Sequence, residues 1–354
     1  MRRKIINVFK YIFFLAIGVL LFWWLYKDEP IKEYIQAFKN LNYFWIAASV
    51  IFGILSQVSR AIRWNMLIKP LGYNPKLFNS ILSVYILYLV NLILPRAGEI
   101  FRCSVMSRYE KIPFAKLVGT VFIERMADFI TLMLLAIVII LSQLGVFIGF
   151  FNTHPEMKEK LFSILSWRNF IIVLVAIGLI YIGFVIFRRY FRKKKNENSS
   201  LVSKLRSLKH NFFEGIKSIS KLENKWFFIG HTVFIFAMWL FMLYVVFLAF
   251  EPTSHLSLET GMITFLMGGL AMLAPVQGGI GAWHFMVIET LVIYGIARPE
   301  GKVFALIAHA STNLIYLIFG SVAMILMPLL NPRKGTKVDA KGNEGSSGTV
   351  SSSL

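Results

Sequence analysis

Six runs of mostly apolar residues, each long enough to cross a bilayer as a helix, constrain this chain more than any other feature of its sequence. A helix needs about 20 predominantly apolar residues to span the hydrocarbon core. The runs are Ile5–Tyr26, Tyr43–Ile68, Leu117–Leu141, Phe170–Phe187, Trp226–Phe250 and Val303–Met327. Apolar residues make up 57% of the 354 residues, more than a soluble domain carries. The sequence therefore predicts an all-α polytopic membrane protein.

Two further apolar regions, Leu77–Leu94 and Leu256–Tyr294, are each broken, so a simple count gives eight hydrophobic segments. Proline lacks the N–H that continues a helix, and glycine tolerates irregular backbone. The breaks are formed by Pro95 and Gly98 and by Pro275, Gly278, Gly279 and Gly281. Irregular backbone occurs at membrane depth only where it is buried in protein or lines a water-filled cavity. Each region is therefore predicted to be a re-entrant hairpin with the break at its tip.

The basic residues predict how these segments are oriented. Twelve lysines and arginines lie between Arg188 and Lys225, and loops of this kind stay in the cytoplasm. If Leu77–Lys116 makes no net crossing, both termini also lie on the cytoplasmic side. The first hairpin then enters the membrane from the cytoplasm and the second from outside. Three crossings separate tips that share a Pro-x-x-Gly spacing, which indicates an inverted repeat. Alternatively, the glycines of the second tip only allow close helix packing.

The chain is predicted to comprise a transmembrane domain, residues 1–330, and a disordered cytoplasmic tail, residues 331–354, rich in Gly and Ser. The first apolar run is interpreted as a retained helix rather than a cleaved signal peptide. In the cytoplasmic segment 188–225, apolar residues recur at helical spacing, which predicts an interfacial helix on anionic lipid or, alternatively, a solvated basic linker. Anionic lipid explains the net charge of +20 better than nucleic acid does.

Charged residues inside apolar segments are the candidate site. Each ionised side chain at the centre of a membrane helix costs roughly 2.5–3.5 kcal/mol on insertion scales. Arg125 and Asp128 are three residues apart and can pair. The pair either fixes helix packing or faces a hydrated cavity, where arginine suits a lipid phosphate and the carboxylates suit a cationic headgroup or a coupling proton. The predicted substrate-binding residues are Asn91, Arg96, Glu99, Arg102, Glu124, Arg125 and Asp128.

Other polar residues receive structural interpretations. Snorkelling to the interface explains Arg60 and Arg63. His284 and His309 lack further ligands at metal spacing, so they are expected to be packed, hydrogen-bonded histidines. A single cysteine, Cys103, excludes an internal disulfide and a thiolate metal cluster. No Walker loop, Gly-x-Ser-x-Gly elbow or His-Glu-x-x-His motif occurs, so ATP-driven transport and the standard hydrolases are not favoured. Neither a cofactor nor a metal is expected.

Three ordered motifs resemble the transmembrane region of the lysylphosphatidylglycerol synthetase/flippase family over roughly Ile5 to Leu330. They are Asn91-x-x-Leu94-Pro95-Arg96-Ala97-Gly98-Glu99-x-x-Arg102, Glu124-Arg125-x-x-Asp128 and Pro275-x-x-Gly278-Gly279-x-Gly281. Members often carry Glu where this chain has His284. Bifunctional members add a soluble aminoacyl-transfer domain, whereas here a short polar tail follows the last helix, so synthesis of lysyl-lipid is not expected.

The resemblance implies a flippase-like protein of the bacterial inner membrane, without enzymatic activity, that moves a phospholipid or polyprenyl-linked lipid between leaflets. Its expected partners are the substrate lipid and anionic lipid at the basic loops. Broken helices in the two halves are the pattern expected around a transporter's midplane site. Two alternatives stay open: a secondary carrier for a small solute, and a membrane enzyme that modifies a lipid headgroup with Glu99 or Asp128 as general base.

Overall fold

The computed structural model describes residues 31–94, 96–142, 200–272 and 279–332, together with isolated positions elsewhere. Within these residues the regular structure is helical and contains no strand. The helices are α1 (Ile31–Lys39), α2 (Tyr43–Ile68), α3 (Leu77–Ile93), α4 (Gly98–Tyr109), α5 (Phe114–Ser142), α6 (Ser200–Lys217), α7 (Lys225–Ala249), α8 (Leu258–Ala271), α9 (Ala282–Ile293) and α10 (Arg298–Leu330).

Four of these helices, α2, α5, α7 and α10, are long and apolar enough to cross a membrane. They correspond to four of the six predicted crossings and confirm the all-α polytopic class. Helices α3, α8 and α9 are apolar but shorter, as the broken regions predict. The other two predicted crossings, Ile5–Tyr26 and Phe170–Phe187, lie outside the described residues, as does the predicted tail beyond residue 332.

Helices α2 and α7 form an antiparallel pair at the centre of the molecule. The hydroxyl of Ser49 donates to the carbonyl of Met242 at 2.7 Å, and the backbone N–H of Asn42 donates to the carbonyl of Ala249 at 3.0 Å. Near the other end of the pair, Arg63 donates to the hydroxyl of Thr232 at 3.1 Å. These contacts place the beginning of α2 beside the end of α7.

The first hairpin consists of α3 and α4, and its two ends lie together. The amide of Asn79, at the start of α3, donates to the carboxylate of Glu110, just after α4, at 2.6 Å. At the tip, the side chain of Asn91 accepts a hydrogen bond from the N–H of Gly98 at 2.8 Å. Arg96 has a left-handed φ of 60°. The chain therefore enters, turns and returns to the same end, while Pro95 itself lies outside the described residues.

The second hairpin consists of α8 and α9. The start of α8 and the end of α9 lie close together, since the charge of Glu259 acts on the hydroxyl of Tyr294, so this hairpin also returns to its starting end. Gly279 and Gly281 have φ values of 75° and 82°, which side chains rarely tolerate. The rest of the tip, including Pro275 and Gly278, lies outside the described residues. Because α8 begins at the end where α7 finishes, the two hairpins enter from opposite ends of the molecule.

Helix α10 contacts both hairpins. Tyr316 stacks on Tyr88 of the first hairpin with ring centroids 4.2 Å apart. Two turns away on α10, His309 contacts His284 of the second hairpin, with centroids 4.5 Å apart. The end of α10 reaches the base of the first hairpin, where Asn331 and Asn79 exchange hydrogen bonds of 2.9 and 3.0 Å. A movement of either hairpin would therefore change its contacts with α10.

Helix α6 packs directly on α5. A Cβ on Gly119 would lie 2.3 Å from the carbonyl of Phe212, and one on Gly215 would lie 2.3 Å from the carbonyl of Lys116, so the two backbones touch through glycine. Lys116 pairs with Glu214 at 2.9 Å, and this hydrogen bond lowers the pKa of the Glu214 carboxyl. The sequence predicted an interfacial helix that contacts lipid. The structure shows that this helix also packs against α5.

Basic residues concentrate at one end, which we call the basic end: the end where α2 and α4 finish and α3, α5 and α7 begin. Its described lysines and arginines include Lys69, Lys76, Arg108, Lys111, Lys116, Lys217, Lys221 and Lys225. The described lysines and arginines near the opposite end are Lys39, Arg298 and Lys302. The molecule is therefore charged asymmetrically along its helices.

Candidate functional site

A cluster of six charged side chains, here called the ion cluster, joins α2, α4 and α5. Its centre is Glu124, which is fully buried. Arg102 donates to one carboxylate oxygen at 2.7 Å, and Arg60 donates to the other at 2.8 Å. Arg125 donates to the second oxygen as well, at 3.1 Å. One carboxylate thus holds guanidinium groups from three different helices.

Asp128 forms the second anionic centre, one helical turn along α5. Arg63 donates to one of its oxygens at 2.6 Å, and Arg125 approaches the other at 3.0 Å. The Arg125–Asp128 contact is the pair that their i, i+3 spacing predicts. Residues three and four apart share a helix face, so one face of α2 presents its two arginines to one face of α5 carrying both carboxylates.

Aromatic and hydroxyl side chains hold the arginines in place. The guanidinium of Arg102 lies over the ring of Trp64, 4.2 Å from its centroid, and the indole N–H of Trp64 donates to the hydroxyl of Thr120 at 3.0 Å. Arg60 donates to the hydroxyl of Tyr88, which stacks on Tyr316 of α10. The ion cluster is therefore connected through Tyr88 to the first hairpin and through Tyr316 to α10.

The charges of the ion cluster do not balance. Four arginines face two carboxylates, and arginine stays protonated in proteins. A third carboxylate, Glu99, lies near Arg60, so the excess is two positive charges for the six side chains alone and one when Glu99 is counted. Four of its guanidinium nitrogens are buried and have no hydrogen-bond acceptor among the residues that the structure describes: Arg60 Nη2, Arg63 Nε, Arg102 Nε and Arg125 Nε. Buried donors without acceptors are costly. This combination can bind an anion with several N–H donors, and phosphate suits the planar guanidinium fork.

The structure brings four of the predicted substrate-binding residues together: Arg102, Glu124, Arg125 and Asp128. The other three lie at or beside the tip of the first hairpin, where Asn91 caps the start of α4 and Arg96 is exposed. Glu99 is half-buried near Arg60, and its Oε2 accepts no hydrogen bond from the described part of the chain. Their role in substrate binding stays a prediction, as it does for the four that meet.

The snorkelling interpretation of Arg60 and Arg63 is wrong. Both side chains are buried, at 1% and 0% exposure, and pair with Glu124 and Asp128 instead of reaching the interface. The partners lie more than sixty residues along the chain, so spacing on α2 alone could not reveal them. Counting charges could have revealed these partners, because two buried carboxylates on α5 need more positively charged side chains beside them than Arg125 alone.

A second buried polar group lies where the second hairpin meets α10. His284 and His309 are both buried and meet edge to face, and the side chain of Asn313 lies 3.0 Å from the Nδ1 of His309. Trp283 packs on His309 with ring centroids 5.2 Å apart. In the part of the chain that the structure describes, no group of three His, Cys, Asp or Glu residues could hold a metal ion.

The fold and the ion cluster define a class: polytopic α-helical membrane proteins in which a broken-helix hairpin supplies part of a buried charge network. The chain belongs to the family described as lysylphosphatidylglycerol synthase TM region, whose model matches residues 11–320. This confirms the resemblance seen in the sequence motifs and places the chain in a lipid-related membrane protein family.

A relative with a comparable length is the UPF0104 membrane protein MJ1595 of Methanocaldococcus jannaschii. It is 24% identical over 342 residues, an alignment that covers 92% of this chain and 95% of the relative. No solved structure matches the chain. The similarity therefore extends over nearly the whole length of both proteins.

Proposed function

We propose that the protein is a flippase-like transporter that moves an anionic phospholipid or polyprenyl-linked lipid between the leaflets of a bacterial inner membrane. The observation that carries this proposal is the excess positive charge of the ion cluster together with its four unsatisfied guanidinium nitrogens. A lipid phosphate supplies both the missing charge and the missing acceptors. The family membership of the chain supports a lipid as substrate.

The position of Arg125 supports lateral access from the bilayer. Arg125 is the most exposed of the four arginines, at 38%, whereas the other three are buried. The outer face of α5 around it is apolar and exposed, as shown by Phe122, Met126, Phe129 and Ile130. A headgroup can therefore reach Arg125 while its acyl chains stay against α5 in the lipid.

The two hairpins support alternating exposure of that headgroup. Arg102 belongs to α4, so the first hairpin contributes directly to the ion cluster. A phosphate that competes with Glu124 for Arg102 weakens the contact between α4 and α5. Because α10 contacts both hairpins, a shift of the first is transmitted towards the second, which enters from the opposite end. Rocking of opposed halves around a midplane site is the usual scheme for inverted repeats.

We also propose how the protein is oriented in the membrane and which kind of activity it has. The basic end faces the cytoplasm, since positively charged loops are retained there, and both termini lie on that side. Anionic lipid of the inner leaflet surrounds the basic loops. The protein acts as a transporter and not as an enzyme, and it uses neither a cofactor nor a metal.

Transbilayer movement of labelled lipids in vesicles tests the proposal. Arg125→Gln removes the accessible guanidinium while Glu124 keeps Arg60 and Arg102 and Asp128 keeps Arg63, so the variant should fold and lose headgroup-selective movement. Lys209→Gln, which also removes one positive charge but from an exposed part of α6, is the control and should move lipid like the wild type. Undiminished movement by folded Arg125→Gln would contradict the proposal. A mass shift in the recovered lipid would instead favour an enzyme.

A further inference from the structure

A cleft of about 450 Å³ opens at the basic end, separate from the contacts of the ion cluster. Its walls come from the end of α2, the start of α3 and the segment that leads into α7. Ile62, Met66 and Phe227 contribute apolar surface, while Lys69 and Glu223 contribute opposite charges. The cleft thus combines an apolar wall with one cation and one anion.

The two charges of the cleft are available to a ligand. Lys69 and Glu223 are both exposed, and neither forms a salt bridge within the described part of the chain. Two amides of the wall are already engaged: Asn65 bonds to Ser80 and Pro75, and Asn224 caps α7. A ligand would therefore meet one free ammonium and one free carboxylate.

The position of the cleft favours a lipid over a soluble ligand. It lies where membrane-spanning helices α2 and α7 reach the basic end, which is the level of the headgroups. Trp226 and Phe227, in the first turn of α7, are 82% and 54% exposed. Exposed aromatic residues at helix ends are typical of the membrane–water interface. An acyl chain can follow the apolar wall while its headgroup meets the two charges.

We propose that this cleft binds a zwitterionic phospholipid, phosphatidylethanolamine, with its phosphate on Lys69 and its ammonium on Glu223. The carboxylate of Glu223 accepts N–H bonds from a primary ammonium, which a quaternary choline group cannot donate. A net anionic headgroup would leave Glu223 unpaired beside the phosphate. The site is independent of the proposed transport, because none of its charges belongs to the ion cluster.

Native mass spectrometry of the purified full chain with added phosphatidylethanolamine tests this site. Lys69→Gln and Glu223→Gln should each weaken phosphatidylethanolamine binding about tenfold, the effect of losing a hydrogen bond to a charged group. The matched controls Lys209→Gln and Glu251→Gln make the same changes at exposed positions away from the cleft and should bind like the wild type. Equal binding by Glu223→Gln and Glu251→Gln would overturn the proposal.

Two further comparisons sharpen the test. The wild type should bind phosphatidylethanolamine more tightly than phosphatidylglycerol or phosphatidylcholine of the same chains, and Glu223→Gln should remove that preference; a preference that survives would overturn the proposal. Arg125→Gln should lose lipid movement but keep phosphatidylethanolamine binding. A wild-type protein that moves lipid but binds the three lipids equally would reject this site alone. A wild-type protein that shows the binding preference but moves no lipid would reject the transport proposal alone.

Discussion

Glu124 is the residue on which the ion cluster depends, because arginines of α2, α4 and α5 all contact its carboxylate. The side chain is fully buried. Replacing it with a neutral group would leave buried Arg102 without its charge partner and Arg60 with only the more distant Asp128, at 3.9 Å. Uncompensated buried charge is among the most destabilising changes that a single substitution can make.

We expect Glu124→Gln to lower the free energy of unfolding by about 3–5 kcal/mol, the typical cost of breaking a buried ion pair from one side. Thermal and denaturant unfolding of the purified protein in the same detergent measure the change. Glu251→Gln, an exposed acid at the opposite end, is the control and should lie within about 0.5 kcal/mol of the wild type. Equal stability of the two variants would show that the cluster does not stabilise the fold.

The residues of the cluster were only partly predictable. The Arg125–Asp128 pair follows from spacing on one helix, and the cost of charge in lipid identifies Glu124 as important. The contributions of Arg60 and Arg63 could not be derived from spacing, because an arginine near a helix end has two physical solutions, snorkelling and burial with a partner. Only the packing of α2 against α5 decides between them.

At the scale of the element, the first hairpin depends on a close backbone contact at its tip. A Cβ on Gly98 would lie 2.1 Å from the carbonyl of Leu87 and 2.8 Å from the Oδ1 of Asn91. Real Cβ atoms do not approach other atoms this closely, and one of the obstacles is backbone that cannot rotate away. Glycine at this position is therefore required for α4 to pack against α3.

Gly98→Ala is expected to separate α4 from α3 and to lower the free energy of unfolding by about 3 kcal/mol, the upper range for overpacking. Gly230→Ala is the matched control, because within the described structure no atom outside its own stretch of helix lies within 4 Å of the Cβ position, in the second turn of α7. Alanine has the higher helix propensity, so this control should be neutral or more stable by up to about 1 kcal/mol. Denaturant unfolding measures both; a smaller loss for Gly98→Ala than about 1 kcal/mol would contradict the hairpin contact.

The existence of both hairpins was predictable because proline and glycine interrupt the two apolar regions and the distribution of lysine and arginine disfavours a net crossing by either one. The geometry of the hairpins was not predictable from the sequence. The cap from Asn91 to Gly98 and the bond between Asn79 and Glu110 join residues whose side chains have many possible partners in sequence. The contact between α5 and α6 was likewise missed, since Gly119 and Gly215 carry no signal that pairs one with the other.

On the scale of the whole molecule, the uneven distribution of lysine and arginine makes the orientation testable. The single cysteine, Cys103, is buried, so a new surface cysteine can be labelled with little background. We expect Ser254→Cys, exposed at the end opposite the basic end, to react with a membrane-impermeant thiol reagent on intact cells. Lys217→Cys, exposed at the basic end, should react only after the membrane is permeabilised. The opposite labelling pattern would reverse the proposed topology.

The overall arrangement could be predicted to the level of segments and their direction. Apolar length and the distribution of lysine and arginine determine which segments cross and from which end the hairpins enter. The pairing of α2 with α7 and the role of α10 could not be predicted, because all these helices present similar apolar surfaces. Specific contacts, such as the hydrogen bond from Ser49 to Met242, distinguish this pairing from others, and they are visible only in the folded structure.

The central claim is that an excess of buried arginine draws an anionic headgroup into the protein. The most direct measurement is the ratio of initial transbilayer rates for trace labelled phosphatidylglycerol and phosphatidylcholine in vesicles containing the wild-type protein. We predict that phosphatidylglycerol moves about tenfold faster, equivalent to about 1.4 kcal/mol of preference, and that Arg125→Gln abolishes the difference. Equal rates for the two lipids, or no protein-dependent movement of either, would contradict the claim.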